Sequence, residues 1–152
     1  MTAYLIRHAK AGDREEWRGD DRLRPLTKSG RKQAAALVGL LQGKPLEKIL
    51  SSGYARCVQT VEPLAQTRDL AIEIAPELEE GAGGDSINRI VARFKGRDIA
   101  LCTHGDLVEE FLELLIARGL LSRARASNEK GGTWVLQEDN GSVRRATYLK
   151  AP

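Results

Sequence analysis

The chain has 152 residues, 41% of them hydrophobic and 30% charged, a soluble globular composition whose length suits one domain spanning 1–152. Its net charge of +3 is weaker than a nucleic-acid clamp shows and suits a small anionic partner, so neither nucleic acid nor an obligatory partner is expected. Two cysteines are too few for a disulfide framework, and two histidines exclude a zinc site built from three or four of them.

No apolar stretch is long enough to span a bilayer and the N-terminus lacks a signal-peptide core, so the expected location is the cytoplasm, away from membranes. In chain order, Ala3–Arg7 reads as a short apolar strand and Lys10–Pro25 as polar and irregular. Ser29–Gln42 reads as a helix with Ala35, Val38 and Leu41 on its inner face, stopped by Gly43 and Pro45. Lys48–Ser51 is a second strand, and Tyr54–Gln66 a helix with Val58, Val61 and Ala65 inward. Ala71–Ala75 is a third strand, Asp85–Phe94 a helix, and Asp98–Thr103 a fourth strand in which Cys102 is a buried small hydrophobe. Asp106–Arg118 reads as a helix with Asp106 as N-cap and Glu109 completing a capping box, ended by Gly119. Thr133–Gln137 and Ser142–Tyr148 flank Asn140-Gly141, a hairpin signal. Strands alternating with helices predict an α/β fold. It is a three-layer sandwich with a mostly parallel central sheet, helices on both faces and a C-terminal antiparallel hairpin.

In such sheets ligands bind beyond the carboxyl ends of the strands. Both histidines fall at that edge, His8 directly after the first strand and His104 directly after the fourth. Arg7 adjoins His8, and Arg56 lies in the first turn of the helix after the second strand. Two arginines and two helix N-termini at one rim suit a dianion, and the planar guanidinium fork binds phosphate bidentately.

Four segments carry a resemblance. Leu5-Ile6-Arg7-His8-Ala9 resembles the R-H-G/A signature of the histidine phosphatase (phosphoglycerate-mutase-like) superfamily. Arg24-Pro25-Leu26-Thr27 with Gly30 resembles its L-T-x-x-G segment, Ser51–Thr60 its S-S-P-x-x-R-x-x-Q-T segment, and Thr103-His104-Gly105 its S-H-G motif. They occur in the family's order over nearly the whole chain. The length and the R-H-A-K-A start are most similar to the SixA-type phosphohistidine phosphatases. Gly53 stands where the family usually has proline, which loosens the turn before Arg56.

The resemblance implies a covalent mechanism: His8 attacks phosphorus, water releases the phosphoryl group, and Arg7, Arg56 and His104 hold its oxygens. The cations are expected to lower the His8 pKa, and neither metal nor other cofactor is needed. A leaving-group acid is expected after the third strand, where Glu77, Glu79 and Glu80 are candidates and spacing after Leu78 favours Glu80. Gly105, in the second histidine motif, is expected at the substrate. Lys10 and the Asp13–Arg24 loop, with Arg14, Arg18, Arg22, Arg24 and Trp17, lie toward the mouth; Lys10 and Arg24 are the expected substrate contacts and most of the others are solvated. Trp134 reads as a packing residue.

Other chemistries fail on spacing. Six positions after Cys57 and Cys102 stand Pro63 and Val108, not the arginine a cysteine phosphatase needs. Gly39–Pro45 is one residue short of a P-loop, and Gly81–Gly84 lacks the last glycine of a dinucleotide fingerprint. The expected substrate is a phosphohistidine-bearing protein. The alternative is a nucleotide or other small phosphometabolite, because Lys130–Leu136 and Thr-His-Gly-Asp look like the phosphatase domain joined to Nudix domains in some bacterial enzymes. A catalytically inert binding module would not need the His8 nucleophile.

Overall fold

Strand β1 (Thr2–Arg7) carries four consecutive buried residues, the pattern of a strand covered on both faces. Its side chains alternate: Ala3 and Leu5 enter one apolar cluster, Tyr4 and Ile6 another. Strand β4 (Ile99–Thr103) divides in the same way, with Ile99 and Leu101 on one side and Ala100 and Cys102 on the other.

The computed structural model describes all 152 residues. The remaining elements are α1 (Lys28–Leu40), β2 (Lys48–Ser51), α2 (Ala55–Arg68), β3 (Ile72–Ile74), α3 (Asp85–Arg93), α4 (Gly105–Ala117), β5 (Thr133–Asp139) and β6 (Ser142–Leu149). The sheet order is β3-β2-β4-β1-β5-β6. The pairs β1–β4, β2–β4 and β2–β3 are parallel, while β1–β5 and β5–β6 are antiparallel. Helices α1 and α2 cover the Tyr4–Ile6 face, with Leu37, Leu41, Val61 and Leu64 buried in it. Helices α3 and α4 cover the other, with Ile87, Ile90, Phe111 and Leu115. No helix is long and apolar enough to cross a membrane.

The expected α/β sandwich and hairpin are thus present. Asn140 and Gly141 take φ of 53° and 81°, the left-handed pair of a type I′ turn. Three details differ from the sequence expectation. On α1 the inner face is Gly30, Gln33, Ala34 and Leu37, continued by Leu41; Ala35 is exposed and Val38 half-buried. Gln33 rotates that face, because its amide is used: Oε1 accepts from the Lys10 N–H at 2.9 Å and Nε2 donates to the Lys130 carbonyl at 3.1 Å. On α2, Val61 and Ala65 are buried with Cys57 and Leu64, whereas Val58 is half-buried. Helix α4 starts one residue early, with His104 as N-cap and no side-chain cap bond. Asp106 does not cap it; its carboxylate accepts from the Gly81 N–H at 2.9 Å, tying α4 to the loop after β3.

Candidate active site

The carboxyl ends of β1, β2 and β4 meet because these strands are neighbours in the parallel part of the sheet. His8 leaves β1 with its N–H on the Thr103 carbonyl at 3.0 Å. Its Nδ1 lies 2.8 Å from the Ala9 carbonyl. A carbonyl only accepts, so the proton sits on Nδ1 and Nε2 keeps a bare lone pair. Burial is the largest cause pushing the imidazole down to about 3; the Ala9 bond, next in size, opposes it, and positive charge on Arg56, on Arg7 and on His104 when protonated adds to the lowering. The sequence expectation named only the cations; desolvation is the larger cause.

Arg56, fully buried at the start of α2, is held from two sides. Nη1 donates to the Asp21 carbonyl at 2.9 Å, and Nη2 to Asp21 Oδ2 at 3.1 Å and Glu80 Oε1 at 2.8 Å. Burial pushes the Asp21 carboxyl up, but bonds and charge from Arg24 and Arg56 prevail and hold it below its usual value. Thr60, one turn along α2, accepts from the Ala9 N–H at 2.9 Å and donates to the Arg56 carbonyl at 2.6 Å. It links the loop after His8 to the helix that carries Arg56. With Gly53 in the place of proline, α2 still begins at Ala55 and brings Arg56 inward.

Arg7 donates from Nη1 to the Asn128 carbonyl at 2.6 Å. Gly105 lets it approach α4: a Cβ there would lie 2.7 Å from Arg7 Cζ. His104 stands edge-on to His8, ring centroids 5.5 Å apart, and to Tyr54 at 4.6 Å. Arg7 Nε, Arg56 Nε and His104 Nδ1 are buried without a partner. Buried polar nitrogens of this kind are normally satisfied, and an oxyanion among them would accept from the two guanidinium nitrogens, and from His104 Nδ1 where that atom carries the ring proton.

Of the three glutamates, Glu77 pairs with Arg93 at 2.8 Å and Glu79 with Arg22 at 2.9 Å. Glu80 lines the cleft, with Oε1 2.7 Å from Arg14 Nη2 and 3.6 Å from His104 Nδ1. The cleft has a volume of about 1180 Å³. Arg7, His8, Tyr54, Gly105, Asn128 and Lys130 are among its walls.

Two expected substrate contacts are placed differently. Lys10 is exposed and off the cleft wall, since its main chain is pinned to Gln33 and Thr27; Lys130 lines the wall instead. Arg24 borders the cleft, but its guanidinium is committed to Asp21 Oδ1 at 2.9 Å and to the Gly12 carbonyl. It braces the loop that presents Asp21 to Arg56. Asn128, Asp21, Ser52 and Tyr54 were missed. Asp21 left a signal as an acid in an arginine-rich loop, and Ser52 and Tyr54 stand in the Ser51–Thr60 segment without having been given a role; Asn128 left none. Trp134 is buried, as expected of a packing residue. No three His, Cys, Asp or Glu side chains converge in a metal-holding group.

Known proteins resemble this chain in sequence and fold. Residues 3–87 match the model of the histidine phosphatase superfamily (branch 1). An 8-oxo-(d)GTP phosphatase of Mycolicibacterium smegmatis is 36% identical over 156 aligned positions, covering 99% of this chain and 48% of the relative. The chain therefore spans about half the length of that relative. A solved structure from Agrobacterium tumefaciens, provisionally assigned as the phosphohistidine phosphatase SixA, is 27% identical with a TM-score of 0.79, covering 98% of this chain and 97% of its own. The protein histidine phosphatase SixA complexed with tungstate has the same fold at 19% identity, with a TM-score of 0.77 over 99% of this chain and 95% of its own. The family model spans more than half of these residues and includes both Arg7-His8 and Arg56, and the chain belongs to the histidine phosphatase superfamily, branch 1.

Proposed function

We propose that this chain is a metal-independent phosphatase that works through a phosphohistidine at His8. The observation that carries the reading is the bare Nε2 of His8, whose mostly buried imidazole lines the cleft, beside three buried nitrogens without partners, on Arg7, Arg56 and His104. In the first step the Nε2 lone pair attacks phosphorus and the bond to the leaving group breaks. The three donors take the equatorial oxygens, where charge gathers in the transition state. In the second step water attacks phospho-His8, inorganic phosphate departs, and Nε2 regains its lone pair. A nitrogen titrating near 3 is unprotonated at neutral pH and needs no base to free it.

Glu80 is the proposed acid for poor leaving groups. Its Oε1 accepts from both Arg14 and Arg56, so the proton that it delivers to a leaving group is carried on Oε2. An alkoxide needs that proton most, a phosphohistidine imidazole less.

The favoured substrate is a phosphohistidine borne by a protein. Ala11 and Tyr54 are the only apolar residues on the cleft wall, a poor sandwich for a purine and adequate for a phosphoryl group on a protein surface. The resemblance to SixA from Agrobacterium tumefaciens along nearly both chains supports this reading. A second reading, a nucleoside polyphosphate, is favoured by the 36% identity to the 8-oxo-(d)GTP phosphatase and by Lys130 on the cleft wall. The test is kcat/KM on a phosphohistidine protein, on 8-oxo-dGTP with its diphosphate, and on an aryl phosphate, all with EDTA. The proposal expects turnover of the aryl phosphate and preference for phosphohistidine. Preference for the nucleotides selects the second reading, and no turnover of any across pH 5–8 refutes both.

A further inference from the structure

Ser52 is fully buried between β2 and α2. Its main-chain N–H is fixed to the Cys102 carbonyl of β4 at 3.0 Å, two residues before His104. Its hydroxyl makes two hydrogen bonds, to the Tyr54 N–H at 3.3 Å and to His104 Nε2 at 2.8 Å. Of these partners only the imidazole nitrogen accepts, because a main-chain N–H only donates. A buried hydroxyl hydrogen without an acceptor costs about 1–3 kcal/mol, so the Ser52 hydrogen points at Nε2. The Cys57 sulfur lies 3.5 Å from the same nitrogen and is a weaker acceptor than the imidazole for the Ser52 hydroxyl. Nε2 then carries no proton, and the proton of neutral His104 sits on Nδ1. That atom is buried and unpartnered, 3.6 Å from the cleft carboxylate Glu80.

We infer that Ser52 is a positioning residue that sets the His104 tautomer, holding a neutral imidazole with its N–H turned to the phosphoryl site. Both histidines then carry their proton on Nδ1, yet they offer opposite groups. His8 gives a lone pair from Nε2 because a carbonyl holds its Nδ1–H. His104 gives an N–H from Nδ1 because a hydroxyl holds its Nε2. A neutral donor suits a site that already has two arginines, since a third fixed cation beside His8 would meet their repulsion. The catalytic consequence rests on the proposed phosphatase reading; the tautomer is measured without turnover, so the two fail separately.

The experiment is a long-range ¹H–¹⁵N correlation spectrum of the ¹⁵N-labelled full chain at neutral pH. The chain has only two imidazoles, and the His8→Gln variant assigns them. The expected spectrum shows pyrrole-type Nδ1 and pyridine-type Nε2 for His104. A pyrrole-type Nε2, or two pyrrole-type nitrogens from an imidazolium paired with a Cys57 thiolate, overturns the inference. In Ser52→Ala the tautomer preference is expected to be lost, with kcat down about 10- to 100-fold, by analogy with the outer-shell partners that orient metal-ligating histidines. Ser52→Thr, which keeps the hydroxyl, is expected to restore both. An unchanged tautomer in Ser52→Ala overturns the role of Ser52 even if kcat falls. If Ser52→Ala does not fold, the wild-type and Ser52→Thr spectra decide.

Discussion

Replacing Gly105 by alanine separates activity from stability. The new Cβ would lie 2.7 Å from Arg7 Cζ, 2.8 Å from Nη2 and 2.9 Å from Nε. Carbon atoms rest at about 3.5–4.0 Å, so the guanidinium must retreat by roughly 1 Å. Retreat strains its bond to the Asn128 carbonyl, now 2.6 Å, and pulls its free Nε from the phosphoryl oxygens. Misplacement of about 1 Å in a positioning group costs on the order of 100-fold, or about 2.7 kcal/mol of transition-state stabilisation. The fold itself should not suffer. Gly105 opens α4 without a positive φ, and the atoms its Cβ would meet are the far end of a flexible side chain. The assay pairs kcat/KM on an aryl phosphate with a thermal melt. The expected outcome is a roughly 100-fold loss with an unchanged or higher Tm. Activity within threefold of wild type refutes the role given to Arg7, and loss accompanied by a lower Tm refutes the steric argument.

Three further outcomes are expected. Because folding lowers the His8 pKa from 6.5 to about 3, the unfolded chain binds the extra proton between those values, and stability falls as pH drops through that window. At a limiting slope of about 1.4 kcal/mol per pH unit, reached only below the unfolded pKa, the step from pH 6.5 to 5 removes about 1.6 kcal/mol. Urea unfolding at both pH values should show this for wild type and not for His8→Gln; parallel losses contradict it. Arg56→Ala should destabilise by at least about 2 kcal/mol through lost packing of a fully buried side chain, the freed carboxylates of Asp21 and Glu80 turning to water. A denaturation midpoint equal to wild type contradicts that. Glu80→Gln should lower turnover of an alkyl phosphate about 100-fold or more and of an aryl phosphate within a few fold. Equal losses on both remove the acid role.

The rim was legible because parallel strands covered on both faces are apolar runs that end abruptly. Ala3–Ile6 and Ile99–Cys102 stop just before Arg7-His8 and Thr103-His104. Two histidines at two such stops mark that rim as the candidate site. Arg56 was legible from its offset after β2. What was hidden depends on long-range pairing. Gln33 is buried because Lys10 and Lys130 need its amide, so α1 carries a polar residue on its inner face and its apolar pattern reads one residue off. Asp106 resembles a cap until Gly81 arrives from another loop. Lys10 and Lys130 are equivalent on paper, and only the bonds that pin the main chain at Lys10 decide which one meets the cleft. Asn128 serves largely through its carbonyl, a group every residue has, and no pattern of side chains announces that. Spacing after Leu78 already favoured Glu80, and of the three glutamates it is the one on the cleft wall, while Glu77 and Glu79 pair with Arg93 and Arg22.

The most direct test of the nucleophile is capture of the intermediate. Wild type is mixed with a ³²P-labelled phosphoryl donor, quenched within the first turnover, and mapped by peptide. Acid-labile, alkali-stable label on the His8 peptide, absent from His8→Gln, is the result expected. Label on another residue, or turnover that survives His8→Gln, contradicts it.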